Sequence, residues 1–177
     1  MQEENTAYLC EQIISYLGNK RSLLGDINVI IADIKKKLNK DKISFADVFS
    51  SSGIVSRIAK SHANLILAND LERYSYIINS CYLENGTLEL KHQLHEVYNN
   101  IVNSVKEKET FISQLYAPKD DNKIVKNERV FYSRKNALIL GGFREEISKL
   151  PLELQHFFIA PIVLAVRRMS SILFLSY

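Results

Sequence analysis

Apolar residues recur with two different periods in the first half of the chain. Helical spacing joins the apolar positions from residue 23 to residue 38: Leu23, Leu24, Ile27, Ile30, Ile31, Ile34 and Leu38. Residues 43–49 and 64–70 are instead short apolar runs typical of strands, and the segment 53–62 between them has a helical pattern. This order predicts a β-α-β unit, in which two parallel strands end at one edge of a sheet and a ligand crevice lies at that edge.

The second half of the chain has mainly helical patterns. Two helix faces are predicted by apolar residues at three- and four-residue intervals: Leu71, Tyr74, Ile78 and Tyr82 on the first, and Leu90, Leu94, Val97, Ile101 and Val105 on the second. Further helices are expected over 133–150 and 152–166, and the polar segment 117–128 is expected to be a mobile loop. The predicted fold class is α/β: a partial Rossmann-like core of parallel strands in residues 1–84, then a mainly helical part in residues 85–177.

Composition and charge limit the class of protein only broadly. The chain has 177 residues, of which 46% are hydrophobic and 24% charged, as in one ordinary globular domain. Its net charge of +3 permits a polyanionic partner but does not by itself indicate one. Cys10 and Cys81 lack metal-binding spacing, the N-terminus is acidic, and the apolar run 157–166 is too short for a membrane span. These features predict a soluble cytoplasmic protein with reduced cysteines and no membrane partner.

Two other groups of side chains are weaker candidates for a site. Four potential metal ligands lie close together on one predicted helix: Glu89, His92, His95 and Glu96. No ligand from a second element accompanies them, so solvated helix side chains are the favoured interpretation and no metal site is predicted. Tyr98, Tyr116 and Tyr132 lie among lysines and could stack on bases, but tyrosines at such spacing more often close the edge of a core.

The loop after the first predicted strand, "SSSG" at residues 50–53, has the position of a phosphate-binding loop but not its glycines. It lacks both the lysine-containing pattern of a P-loop and the three-glycine pattern of a dinucleotide fold, since only Gly53 is present. Acidic residues remain on both strands. Asp47 lies on the first, and Asp70 follows Gly53 by 17 residues, close to the offset of roughly 20 at which a carboxylate binds ribose hydroxyls. These parts suit an adenosine ligand without phosphates.

Three segments carry a resemblance to a known family. They are "YLGNKRSLL" at residues 16–24, "ADVFSSSGIVSRIAK" at residues 46–60 and "ILANDLERYSYIIN" at residues 66–79. In order and spacing they resemble the D12 class of adenine-specific DNA methyltransferases, to which the Dam-like enzymes belong. A fourth segment, "FYSRKNALILGGFREEISKLP", is similar to a region found in one branch of that family. The resemblance therefore extends over most of the chain.

The resemblance implies S-adenosylmethionine as the cofactor. The residues that it assigns to cofactor binding are Tyr16, Gly18, Lys20, Asp47, Phe49, Ser51, Gly53, Asp70 and Leu71. Tyr16 would pack against the methyl donor, Lys20 would meet its carboxylate and Asp47 would face its amino group. Phe49 and Gly53 would shape the floor of the site, while Asp70 would take the ribose hydroxyls and Leu71 would cover the adenine. From the residues alone, Lys20 could also be a surface lysine and Asp70 an N-cap of the next helix.

The chain departs from the family pattern in ways that bear on activity. The catalytic Asp/Asn-Pro-Pro-Tyr/Phe motif is absent, because the three prolines, Pro118, Pro151 and Pro161, are not adjacent. Ser51 also replaces the first loop glycine. The resemblance implies methyl transfer to adenine in double-stranded DNA, within a restriction-modification system, by a chain that is here truncated and inactive alone. A second chain could carry the missing motifs. The alternative is a non-catalytic remnant that binds the donor or DNA.

Overall fold

A computed structural model of the chain describes the backbone of residues 20–173 and the side chains of residues 20–166. The chain divides into two compact units, Met1–Asn85 and Gly86–Tyr177, and this division lies next to the predicted boundary at residue 84. Within the described part of the chain, no helix has the length and apolar character needed to cross a membrane.

The first unit contains the predicted β-α-β arrangement. A 3-10 turn, Lys20–Leu23, leads into helix α1 (Leu24–Lys37), which is followed by strand β1 (Ile43–Asp47), helix α2 (Ile54–Ala59), strand β2 (Ala63–Ala68) and helix α3 (Arg73–Leu83). The two strands are parallel, and Asp47 at the end of β1 is paired in register with Ala68 at the end of β2. Both strands end two residues earlier than predicted, because the chain turns into loops after Asp47 and Ala68.

Among the residues that the structure describes, one face of this small sheet is covered and the other is exposed. Ile43 is buried against Ile31 of α1 and Ala59 of α2. A neighbouring cluster of α1 and α2 residues forms the rest of this core: Leu24, Ile54, Val55 and Ile58. On the opposite face, Leu65 is 63% exposed and Leu67 is 61% exposed. Parallel sheets are normally covered on both faces. The described residues therefore contain a parallel β-α-β unit compatible with a methyltransferase fold, and not a complete Rossmann-like core.

The second unit is helical, as predicted, with one helix that the sequence patterns did not predict. Its helices are α4 (Leu88–Ser104), α5 (Phe111–Tyr116), α6 (Arg134–Ser148) and α7 (Leu152–Leu173), and α7 continues through Pro161. Helix α5 was not predicted because six residues are too few to define a helical period. Thr110 is the N-cap of this helix and forms a capping box with Ser113. The hydroxyl of each residue accepts a hydrogen bond from the backbone N–H of the other.

Two consecutive glycines allow an extended segment to cross α6. The N–H of Lys108 donates to the carbonyl of Leu138 at 3.0 Å. A Cβ atom on Gly141 would come closer than 3.0 Å to the carbonyl oxygen of Lys108, and one on Gly142 would come equally close to that of Lys106. Because no side chain fits at this crossing, the pair "GG" in "LILGGFREE" is required by the packing of the second unit.

The predicted loop 117–128 contains no helix or strand, but its own carboxylates give it a defined course. Glu128 accepts from the backbone N–H groups of Lys119, at 3.1 Å, and Val125, at 3.0 Å. These two bonds lower the pKa of the Glu128 carboxyl from its ordinary value. The backbone N–H of Arg134 donates to Asp121 at 2.7 Å. Polar composition predicted the absence of regular structure here, and the bonds that organise the loop are a finding of the structure.

Candidate functional site

The candidate site lies at the carboxyl ends of β1 and β2, where the hydrogen bonding of the sheet continues into the loops. The N–H of Asn69 donates to the carbonyl of Asp47, and the N–H of Ser50 donates to the carbonyl of Asn69, both at 2.9 Å. The side-chain amide of Asn69 also donates to the carbonyl of Val48 at 3.1 Å. The first loop is therefore held against the end of β2, as predicted for a crevice at this edge.

The loop turns through two residues with left-handed backbone conformations. Ser51 has φ +49° and Gly53 has φ +71°. Gly53 adopts this conformation without cost and leads directly into α2, and its N–H donates to the carbonyl of Ser50 at 2.7 Å. For Ser51 the conformation is unfavourable by about 1–2 kcal/mol. The chain thus has a serine in a backbone geometry that favours glycine, and contacts from neighbouring elements must hold it there.

Asp70 connects the loop to the beginning of α3. One carboxylate oxygen accepts from the N–H of Ser51 at 2.7 Å, and the other accepts from the N–H of Glu72 at 3.1 Å. The bond from Glu72, followed by that from Ser51, lowers the pKa of the Asp70 carboxyl, and the charge of Lys20 acts in the same direction. Asp70 is therefore a carboxylate at neutral pH. Each oxygen retains a lone pair for a further donor, so the capping contact and a bond to ribose hydroxyls are compatible.

Lys20 and Asp47 place opposite charges near the end of β1. The Lys20 ammonium donates to the carbonyl of Phe49 at 2.9 Å and lies 3.9 Å from a carboxylate oxygen of Asp47. Asp47 is buried, at 7% exposure, and its other oxygen accepts from the Ser56 hydroxyl at 2.8 Å. The Lys20 side chain is 40% exposed but is directed to the strand end. This pair matches the zwitterionic part of an amino acid, whose carboxylate would meet Lys20 and whose amino group would meet Asp47.

Large apolar side chains follow both strands without being covered. Phe49 is 79% exposed and Leu71 is 97% exposed. Binding pockets for organic ligands are lined mainly by apolar and aromatic side chains, so these two residues are suited to cover a planar ring. The structure therefore brings the predicted residues from Lys20 to Leu71 to one edge of the sheet. Tyr16 and Gly18, also predicted for this site, lie outside the described residues.

Helix α3 contributes two buried polar residues that the sequence analysis did not identify. The Ser75 hydroxyl donates to the carbonyl of Ser51 at 2.5 Å. The side-chain amide of Asn79 donates to the Ser50 hydroxyl at 3.1 Å and is 3.4 Å from the same Ser51 carbonyl. A cavity of about 250 Å³ lies beside them, between the end of β2 and α3, with Asp70 in its wall. The available signal was the four-residue spacing of Ser75 and Asn79 on the buried face of α3.

The sequence matches a family description and two curated relatives. The description "D12 class N6 adenine-specific DNA methyltransferase" matches residues 16–144. Type II methyltransferase M.NlaIII from Neisseria lactamica is 35% identical over 72 residues, which are 41% of this chain and 21% of that protein. Type II methyltransferase M.CviAII from Paramecium bursaria Chlorella virus 1 is 27% identical over 144 residues, which are 77% of this chain and 39% of that protein. No solved structure matches the chain significantly.

The family match covers well over half of the chain and includes the whole strand-end site from Lys20 to Leu71. The matched part of the chain accounts for about one fifth of one curated relative and about two fifths of the other. Of the three motifs that carry the resemblance, the second and third include the loops after β1 and β2 of the parallel β-α-β unit, and the described part of the first, from Lys20, lies in the turn that leads into α1. The chain belongs to the D12 class of N6 adenine-specific DNA methyltransferases.

Proposed function

We propose that the chain is the donor-binding part of an enzyme that transfers a methyl group from S-adenosylmethionine to the amino group of adenine in double-stranded DNA. One observation carries this proposal: Lys20, Asp47 and Asp70 lie together at the carboxyl ends of β1 and β2, in a chain that belongs to this family. The curated relatives are named type II methyltransferases, which supports a role in a restriction-modification system.

Each group at the strand edge has a distinct role in this proposal. Lys20 binds the carboxylate of the donor, and the buried Asp47 accepts from its amino group. Asp70 accepts from the ribose hydroxyls with the lone pairs that Ser51 and Glu72 leave unused. Phe49 and Leu71 cover the adenosine, and Tyr16 and Gly18 keep the donor-binding roles that the family resemblance implies. S-adenosylmethionine, when bound, supplies the sulfonium methyl group, and these residues fix its position.

The groups that accept the target base are proposed to lie outside residues 1–177. The amino group of adenine is a poor nucleophile, so transfer requires acceptors that hold it in line with the methyl group and a seat for the flipped base. The family motif that would supply them needs two adjacent prolines, which these residues lack. Within the described residues Leu65 and Leu67 are exposed on one face of the sheet, which is compatible with a further part of the fold. The proposed acceptor groups belong either to a longer form of this protein or to a second chain.

The second unit is proposed to contact DNA, as the position of the DNA-recognition region in the family implies. Its loop 117–128 carries lysines at three positions, Lys119, Lys123 and Lys126. Ile124 and Val125, between the last two, are exposed. Lysines suit phosphate contacts, and apolar side chains suit contact with bases. Binding of DNA through this loop should therefore weaken as the salt concentration rises.

The experiment that tests the proposal is incorporation of a tritiated methyl group into unmethylated DNA. The 177-residue protein alone should label no adenine, whereas the same chain extended through an Asp-Pro-Pro-Tyr segment should label it in a donor-dependent manner. Type II methyltransferase M.CviAII serves as the positive control for the assay. Donor-dependent labelling of adenine by the 177-residue protein would show that an acceptor lies within it.

A non-catalytic remnant that binds the donor is the second candidate. The backbone conformation of Ser51 favours it, because this residue is left-handed, at φ +49°, at a position where the family has a glycine. Donor binding combined with no transfer by the extended chain would support this alternative over an enzyme that lacks only its acceptor segment.

A further inference from the structure

The carbonyl and the N–H of Ser51 are held by different elements of the first unit. Its carbonyl accepts from the Ser75 hydroxyl at 2.5 Å and lies within hydrogen-bond distance of the Asn79 amide at 3.4 Å. Its N–H donates to the Asp70 carboxylate at 2.7 Å. The backbone groups of Ser51 therefore link the buried face of α3 to the carboxylate at the end of β2.

This link controls the direction in which the Asp70 carboxylate is presented. A carboxylate that follows a strand is free to rotate unless its oxygens are held, and here one oxygen is held by the N–H of Ser51 and the other by that of Glu72. Ser51 is itself in an unfavourable backbone conformation, at φ +49°, and would leave it without the contacts to its carbonyl. Loss of the contacts from α3 should therefore release the loop and leave the carboxylate held by Glu72 alone.

We propose that Asn79 and Ser75 are positioning residues for the methyl donor: they orient the Asp70 carboxylate through Ser51. This inference rests on the proposed function, because it assigns the ribose hydroxyls to Asp70. Asn79 is suited to the role because it is buried, at 7% exposure, and the two hydrogens of its amide are shared among the Ser51 carbonyl, the Ser50 hydroxyl and the Ser75 carbonyl. Its carbonyl oxygen faces Gly53, so the side chain has contacts with most of the loop.

A double-mutant cycle separates this role from a purely structural one. S-adenosylmethionine is titrated by calorimetry into the full chain and into Asn79→Ala, Asp70→Ala and the double variant. Asn79→Ala should weaken binding roughly tenfold, as expected for the loss of one or two hydrogen bonds. In the Asp70→Ala background it should change binding less than twofold, because the carboxylate that it orients is gone. An equal loss in both backgrounds would overturn the inference, because Asn79 would then act on the fold as a whole.

Two further variants keep this test interpretable. Ser80→Ala changes a residue that lies in the wall of the same cavity and next to Asn79 in the chain, and it should leave binding within twofold. Ser75→Ala removes the other donor to Ser51 and should repeat the Asn79→Ala pattern, so it replaces that variant if Asn79→Ala does not fold. Full binding by Ser75→Ala and Asn79→Ala, with both folded, would contradict the assigned role.

Amide exchange in the ligand-free protein tests the link without any donor. The Ser51 N–H should exchange slowly in the wild type, because it donates to Asp70, and at least tenfold faster in Asn79→Ala. The N–H groups of β1 should keep their rates. An unchanged Ser51 rate would overturn the inference. If the wild type binds no donor, the proposed function fails, and this exchange measurement decides alone whether α3 holds the loop and carboxylate.

Discussion

Substitution of Gly53 by alanine is the single change that should most directly disturb the loop of residues 50–53 that follows β1. Gly53 has φ +71°, in a region that alanine rarely adopts, and it stands at the N-terminus of α2. A Cβ atom at this position would come closer than 3.0 Å to the side-chain oxygen of Asn79. The substitution therefore strains the backbone and displaces the side chain that holds the loop.

The expected loss of stability follows from these two effects. The left-handed conformation costs a non-glycine residue about 1–2 kcal/mol. Displacement of Asn79 weakens its bonds to Ser50 and Ser75, at a net cost of about 1 kcal/mol each. Alanine also lowers the conformational entropy of the unfolded chain, which favours the folded state by about 0.4–1 kcal/mol. The free energy of unfolding of Gly53→Ala should therefore fall by about 2–3.5 kcal/mol.

Urea denaturation followed by circular dichroism measures this change, with Gly25→Ala as the matched control. Gly25 lies in α1, and apart from its own helix no atom of the described residues is within 4 Å of the position of an added Cβ, so alanine there should leave stability unchanged or raise it by up to about 1 kcal/mol. If Gly53→Ala were as stable as Gly25→Ala, the left-handed loop and its contact with Asn79 would be refuted.

Three further predictions concern other parts of the molecule. Gly142→Ala should destabilise the second unit by more than 2 kcal/mol in urea denaturation, because its Cβ would meet the Lys106 carbonyl, whereas Gly86→Ala should have little effect. Ser51→Gly should tighten S-adenosylmethionine binding in calorimetry, because the serine side chain restricts φ and holds the loop backbone away from the ligand, and unchanged or weaker binding would contradict this. Burial raises the pKa of the Cys81 thiol to about 11, so mass spectrometry should find it unmodified by a thiol reagent at pH 8 until the protein is denatured.

The parts of the fold that could be predicted from the sequence are those encoded by local patterns. The parallel strands and the helix between them follow from runs of apolar residues bounded by polar ones, and Gly53 marks the N-terminus of that helix. The acidic residues Asp47 and Asp70 could be placed at one edge, because parallel strands end together.

The parts that could not be predicted depend on contacts between distant residues. Asn79 holds the loop across 28 positions of the chain, and its four-residue spacing from Ser75 indicates a shared helix face but not the loop that the two residues contact. Glu128 closes the second-unit loop through backbone N–H groups, which any residue but proline can supply, so the sequence does not show which carboxylate binds where. The family resemblance gave the candidate ligand-binding residues but not the buried Ser75 and Asn79 that contact the loop.

Titration of S-adenosylmethionine into the wild type and into Asp70→Ala tests the central claim most directly. The account predicts a single site in the wild type and binding weaker by about 1.5–3 kcal/mol in Asp70→Ala, the cost expected for losing hydrogen bonds to a charged acceptor. Asp70 also holds Ser51 in place, so the unfolding free energy of both proteins is measured alongside, to confirm that the variant is folded at the titration temperature. Equal affinity in two folded proteins, or no binding by the wild type, would contradict the claim that this strand edge binds the methyl donor.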